Sequence, residues 1–413
     1  MHLNRLTLAF RIPAYRWLWA NSFAGAAGFM PYMMGQGWLI FELTDSPLLV
    51  GLAPAIGSVA NMAFSPIGGV IADRLDRRSV LMVTQSLAAS AILVLGVLAI
   101  TGLVQFWHIV IIAVVHRTAM GLQLTTRNTL MYDVVGPRVF MNAVAGLFMS
   151  THSASVLGPL AGGIIISVFG VGYLFLVLGS IIMLGSLFLL RVPRVPAAKP
   201  IGSAWANLKE GVNFALRNRP VRAVLFTVLI TDGLGFSTQS MFPVVTRDVL
   251  HAGPIVLGLL STLRGAGGVV GALIVSSLGD IRSKGWLFTG AAFLFGTLLV
   301  GFAFSSLLQL SLVLIFLVGS FATIYDTLAH TLLQTMAPEA MRGRIMGLYS
   351  FVVSGIGIGA LGLGAITSWL GVKWAIAAAG GTVAGNALLT VPMAPTLNKQ
   401  SLARMDTRAE GEE

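Results

Sequence analysis

The chain has 413 residues, 56% of them hydrophobic and 10% charged, with a formal net charge of +11. A soluble domain carries roughly 25% charged residues, so this sequence is too poor in charge to cover a water-facing surface of its size, a requirement that lipid removes. The Lys and Arg side chains fall in short clusters between apolar stretches rather than on one face or tail, which excludes a nucleic-acid binder, and the lack of cysteine excludes disulfides, thiolate metal sites and thiol nucleophiles.

A helix needs about 20 mostly apolar residues to cross a bilayer. The first set of such stretches runs roughly over 17–42, 48–72, 79–102, 106–129, 141–168 and 171–191. The second runs roughly over 221–246, 255–279, 286–304, 307–335, 342–369 and 372–393. The first stretch continues well past the length of a signal-peptide core and is followed by further spans, so it reads as a retained helix. Arg and Lys cluster before the first span and after every even-numbered one, whereas the alternate loops hold only Arg247 and Lys373. By the positive-inside rule both termini face the cytoplasm. Between the halves, Pro193, Pro196 and Pro200 mark an extended lead-in. Trp205, Leu208, Val212 and Ala215 then recur at helical spacing, which predicts an amphipathic helix on the cytoplasmic membrane surface.

The halves repeat one another. Pro47-Leu48-Leu49-Val50-Gly51-Leu52 opens the second span and Pro254-Ile255-Val256-Leu257-Gly258-Leu259 the eighth, and the same interval carries Asp73 onto Asp280. A second match joins Pro137, Gly146 and Leu147 to Pro338, Gly347 and Leu348, and superposes Gly158 on Gly359 and Gly163 on Gly364. The expected organisation is therefore an N-terminal six-helix half over 1–192 and a linker with an amphipathic helix over 193–220. A C-terminal six-helix half over 221–394 and a cytoplasmic tail over 395–413 complete it. The fold class is an all-α membrane protein of twelve transmembrane helices in two pseudo-symmetric six-helix bundles, an architecture that places a substrate site at the repeat interface.

Three motifs narrow the reading. Gly69-Val70-Ile71-Ala72-Asp73-Arg74-Leu75-Asp76-Arg77-Arg78, between the second and third spans, resembles the GxxxDRxGRR signature of the major facilitator superfamily, with Asp76 in place of Gly. Gly69, Asp73, Arg74, Arg77 and Arg78 are its gating candidates: the small residue permits close helix approach, the carboxylate can cap a neighbouring helix, and the arginines can form ion pairs. Arg117-Thr118-Ala119-Met120-Gly121 in the fourth span resembles the RxxQG element of proton-coupled members, with Met120 replacing Gln. Ala154-Ser155-Val156-Leu157-Gly158-Pro159-Leu160-Ala161-Gly162-Gly163 in the fifth resembles the GxxxGPxxGG element of drug–proton antiporters, where Gly158, Pro159, Gly162 and Gly163 form a candidate helix bend.

Smaller features, including Tyr15-Arg16-Trp17-Leu18-Trp19, Leu43-Thr44-Asp45-Ser46-Pro47 and Arg342-Gly343-Arg344, resemble the enterobactin-exporter and macrolide-efflux branch of that superfamily. The resemblance covers nearly the whole chain. It implies a proton-driven exporter of amphipathic small molecules in the bacterial cytoplasmic membrane, working by alternating access and able to function as a monomer. The competing readings are a facilitator or importer of another solute and a non-transporting scaffold. No nucleophile–base pair or metal-ligand spacing is visible, so neither an enzyme nor a cofactor or metal site is expected.

Charges inside the spans are few, and intramembrane charge is functional by default. Asp232 in the seventh span and Asp326 in the tenth are proton-coupling candidates, because a carboxylate taken out of water holds a proton more readily. Arg117 and Arg264 are candidates to tune them, although Asp232–Arg264 and Asp326–Arg117 are equally readable as fixed ion pairs. Asn21, Met33 and Gln36 of the first span, with Gln239 of the seventh, are the substrate-cavity candidates, since polar groups avoid lipid and Met repacks around varied ligands.

Overall fold

A computed structural model describes residues 8–194, 204–278 and 283–398, except for the side chains of 65–74, 124–125, 204–208 and 340. Among the described residues the chain is helical throughout and has no strand. The first half contains α1 (Pro13–Thr44), α2 (Pro47–Arg74), α3 (Arg77–Ile100), α4 (Phe106–Val135), α5 (Phe140–Phe169) and α6 (Val171–Phe188). A linker helix, α7 (Ala204–Arg217), precedes the second half. There the seventh span starts as α8 (Arg219–Ile230), followed by α9 (Pro254–Leu278), α10 (Lys284–Phe304) and α11 (Leu308–Met336). The eleventh span is α12 (Glu339–Ser354) with α13 (Ile356–Leu370), and α14 (Val372–Thr390) closes the set. Among the described residues, eleven of the spans are long and apolar enough to cross a membrane. The other, α1, has 32 residues, ample for the bilayer, and is more polar because it carries Arg16, Asn21, Gln36 and Glu42. The chain is thus an all-α membrane protein with twelve transmembrane helices.

Two compact units divide these helices. The first holds α1 to α6 and the segment His251–Thr262, which includes the opening turns of α9; the second holds α7, the seventh span, the rest of α9 and the helices after it. Their turns repeat. Gly170, at φ +97°, joins α5 to α6, and Gly371, at φ +84°, joins α13 to α14 at the equivalent place. Both backbones lie in the left-handed region, where only glycine is free of Cβ strain, so each pair of spans is connected by a single residue.

Within the first unit α5 runs as one continuous helix through Pro159. Its glycines serve close approach. A Cβ on Gly158 would lie 3.0 Å from Pro31 of α1, and one on Gly162 would lie 3.1 Å from Met34. On the other side, a Cβ on Gly163 would lie 3.1 Å from the Gly258 backbone of α9. Small residues of this kind let helices pack tightly where lipid offers no hydrophobic drive. Near the N-terminal end of α1, Tyr15 and Trp19 donate to the carbonyls of Ala143 and Gly146 on α5, each at 2.9 Å.

The second unit repeats the α1–α5 contact with different residues. A Cβ on Gly359 of α13 would collide with the Gly233 carbonyl of the seventh span and lie 2.6 Å from Ser237 Oγ. At that level both partners are irregular. The seventh span is π-helical over Thr231–Gly235 and 3-10 over Phe236–Met241, and is π-helical again over Val245–Val249. The eleventh span breaks at Gly355, between α12 and α13. Ser237 Oγ bridges the irregularity by donating a hydrogen bond to a carbonyl, with those of Gly233 (2.6 Å) and Ile356 both in reach.

The linker helix α7 docks on protein by a face that excludes Val212. Gly211 and Ala215 are buried, with Gly211 against the Arg344 carbonyl at the start of the eleventh span and Ala215 in the core of the second unit, whereas Val212 and Leu216 are exposed. Glu210 pairs with Arg344 at 2.6 Å. Protein, rather than lipid, covers that face.

Candidate functional site

Asp232 sits in the π-helical turn of the seventh span and is 2% exposed. A π-turn widens the helix and leaves backbone groups less regularly paired, and such turns recur at functional sites. Asp232 Oδ1 has no hydrogen-bond partner among the described residues. Asp326 of α11 lies within electrostatic range, and its Oδ1 accepts a hydrogen bond from the Tyr349 hydroxyl of α12. Tyr325, fully buried and stacked on Phe288 at 5.3 Å, stands beside both carboxylates. His330 meets the Tyr349 ring edge-on at 5.6 Å and faces Gln334 at 3.4 Å. The two acids thus lie within electrostatic range of one another, with Tyr325 and Tyr349 among the groups around them.

The alternative reading of Asp232–Arg264 as a fixed ion pair finds no such pair among the described residues. Arg264 of α9 instead donates to Gln239 Oε1 at 2.9 Å and lies over the Phe236 ring at 5.1 Å. Its Nε and Nη2 find no acceptor among the described residues. Two candidates chosen separately, Arg264 and Gln239, therefore form one contact.

Arg117 belongs to the first unit, where its side chain lies along α2 at Gly57. A Cβ there would stand 2.9 Å from Arg117 Cγ. Its Nη2 contacts Met33 Sδ at 2.9 Å and the guanidinium lies 5.7 Å from the Phe29 ring centre. Tyr32 packs against His116 with ring centres 4.3 Å apart. Gln36, one turn along α1 from Tyr32, is 2% exposed, and its Nε2 has no acceptor among the described residues.

Met33 and Gln36 therefore stand by Arg117's neighbours, and Asn21 does not. Asn21 Nδ2 donates to Gln85 Oε1 of α3 at 2.5 Å and to the Gly185 carbonyl of α6 at 2.8 Å. It fastens three helices together, and its amide is occupied.

The two units carry their buried arginine on opposite members of the same helix pair. The repeat places Arg264 of α9 at the position of Gly57 on α2, and Gly319 of α11 next to the position of Arg117 on α4. Each arginine faces a glycine: Gly57 receives the Arg117 stem, and Gly319 lies against the backbone of Arg264.

In the loop motif, the side chains of Gly69, Asp73 and Arg74 lie outside the described residues. Asp76, which occupies the usual glycine position, caps α3 by accepting from Ser79 N at 3.2 Å and Ser79 Oγ at 2.6 Å. Arg77 is buried and pairs with Asp133 at the end of α4, while Arg78 beside it is half-buried.

In the sequence, Tyr32, His116, Tyr325 and Tyr349 do not stand out as site candidates. Neutral rings inside apolar spans carry no charge signal, and only the fold shows that they stand beside charged groups. The interruption of the seventh span did leave a trace, in Gly233, Gly235 and Pro243 within one apolar stretch.

Comparison with known proteins agrees with this architecture. The model of the transmembrane secretion effector family matches residues 7–410. The chain is 22% identical over 349 residues to macrolide efflux protein A of Streptococcus pyogenes, covering 82% of this chain and 85% of that protein. It is 26% identical over 328 residues to the enterobactin exporter of Shigella boydii serotype 4, covering 78% of each. Among solved structures, a bacterial homologue of the human lysosomal transporter Spinster superposes with a TM-score of 0.70 at 14% identity over 96% of this chain and 97% of that one. A nucleoside transporter superposes at 0.66 and 13% identity over 95% and 99%. These likenesses establish the fold as two pseudo-symmetric six-helix bundles.

Proposed function

Because the chain belongs to the transmembrane secretion effector family of major facilitator superfamily transporters, we propose that it exports amphipathic small molecules from a bacterial cell in exchange for protons. It is a multi-pass membrane transporter and not an enzyme. The observation that carries the coupling is the buried Asp232 in the π-helical turn of the seventh span, beside the Tyr349-bound Asp326.

Two acids within range of one another repel when both are charged, and a proton on either removes the repulsion. Their surroundings are irregular helix: a π-turn on one side and the Gly355 break on the other. Protonation there alters charge where the backbone is least bound to a single arrangement, as alternating access requires. The efflux relatives support the direction of transport, and their cargoes support an amphipathic substrate.

The test uses inverted membrane vesicles with an imposed proton gradient and a pH-sensitive dye. A panel of amphipathic drugs, macrolides and siderophores is added one compound at a time. A transported compound releases protons in the wild type and not in Asp232→Asn or Asp326→Asn. Normal coupled transport by both variants rejects the carboxylate assignment. Uptake that ignores uncouplers points to a facilitator.

A further inference from the structure

We propose that the Arg117 cluster of the first unit binds the anionic head of the exported molecule, so that the substrate is an oxyanion, such as a carboxylate, carried on an apolar or aromatic body. This deepens the transporter reading and rests on it.

The charge account within the unit is one-sided. Among the acids whose side chains are described, Glu42 and Asp45 are exposed at the far end of α1, Asp76 caps α3, and Asp133 is paired with Arg77. None stands beside Arg117, whose Nε has no acceptor among the described residues. A guanidinium held in a membrane protein interior without a counter-charge is costly, and its position persists only where something offsets it. Met33 sulfur and the Phe29 face stabilise the cation weakly and leave its hydrogen-bond fork largely unused.

The neighbours are of the same kind. The Tyr32 hydroxyl and the Gln36 amide nitrogen are buried at 1% and 2% exposure, and neither has a partner among the described residues. Buried polar groups are otherwise almost always satisfied. The guanidinium and the amide nitrogen are donors and the hydroxyl can donate, so the cluster holds three unused donors of the kind that an oxyanion accepts from. An ammonium ligand would add donors to donors and a positive charge to a positive charge. Phe29 and Met33 flank the cation with apolar, polarisable surface for the body of the ligand.

The experiment uses purified protein in lipid nanodiscs without any gradient, with three probes of one shape: pyrenebutyrate, pyrenebutanol and pyrenebutylamine. Binding is read by energy transfer from the protein's tryptophans, with empty nanodiscs subtracted. The wild type is expected to bind the carboxylate about tenfold tighter than the alcohol and the amine. Arg117→Gln should collapse that preference to less than about twofold, while Arg117→Lys keeps its direction. If Arg117→Gln does not fold, Tyr32→Phe serves instead and should lower carboxylate affinity about threefold with the alcohol unchanged.

Equal binding of the three probes, tighter binding of the amine, no saturable binding of the carboxylate, or a preference unchanged in Arg117→Gln each overturns the assignment. The vesicle assay reads Asp232 and Asp326 and requires a gradient. Coupled export of an uncharged or cationic compound with no anion preference in nanodiscs would therefore reject the anion site and leave the exporter standing. An intact anion preference with no coupled transport would do the reverse.

Discussion

Asn21 and Gln36 are both polar and buried on α1, yet only Asn21 spends its amide on neighbouring helices. Asn21→Leu should therefore leave Gln85 and the Gly185 carbonyl without their donor and lower stability by about 1–3 kcal/mol, measured as thermal unfolding in detergent. Gln36→Leu removes a group whose donor is unused, so its unfolding midpoint should stay level or rise slightly while transport falls. The sequence could not separate the two residues, since helical spacing says nothing about which amide meets a partner 64 or 164 positions away. Tyr349 poses a different test. Its ring packs into the core while its hydroxyl reaches Asp326, so Tyr349→Phe should fold normally. Losing about 1 kcal/mol at the carboxylate should shift its proton-binding equilibrium about fivefold, read as a displaced pH dependence of coupled transport in the vesicle assay.

At the scale of elements, spans were legible from apolar runs, whereas their irregularities were not. The fourth span, expected over 106–129, continues to Val135, where Gly136 caps it by donating to the Tyr132 carbonyl. The seventh and eleventh read as single helices, but the seventh turns π-helical over Thr231–Gly235 and the eleventh breaks at Gly355, one turn before Gly359 meets Gly233. Hydropathy averages over such breaks, because the residues that cause them are still apolar or small. Gly359→Ala should cost about 1–3 kcal/mol of thermal stability through overpacking against the Gly233 carbonyl. On the same helix, Gly362→Ala has open space around its new methyl group and should be neutral or slightly stabilising. Equal effects at the two positions would mean that the close approach is not what matters there. The Glu210–Arg344 pair is half exposed, so Glu210→Ala should cost less than about 1 kcal/mol; docking of α7 rests on the small residues beneath it.

For the whole molecule, the charge alternation predicts which loops face which side, and the cysteine-free chain makes the prediction simple to check. Leu103→Cys and Leu307→Cys, both 65% exposed, should react with a membrane-impermeant maleimide on intact cells. Leu75→Cys, 55% exposed, should react only after the cells are opened. The reverse pattern would invert the assigned topology. The duplication was readable in the sequence, and the structure adds that the copies no longer hold the same contents. Arg117 with its unpartnered donors lies in one unit, and the paired acids lie in the other, each seated among its own helices. Selection can therefore act on the two separately. Under the roles proposed for them, a change in α1 and α4 would alter the cargo and leave the coupling acids as they are. Relatives named for a macrolide and for enterobactin at similar identity to this chain are the kind of divergence such a division allows.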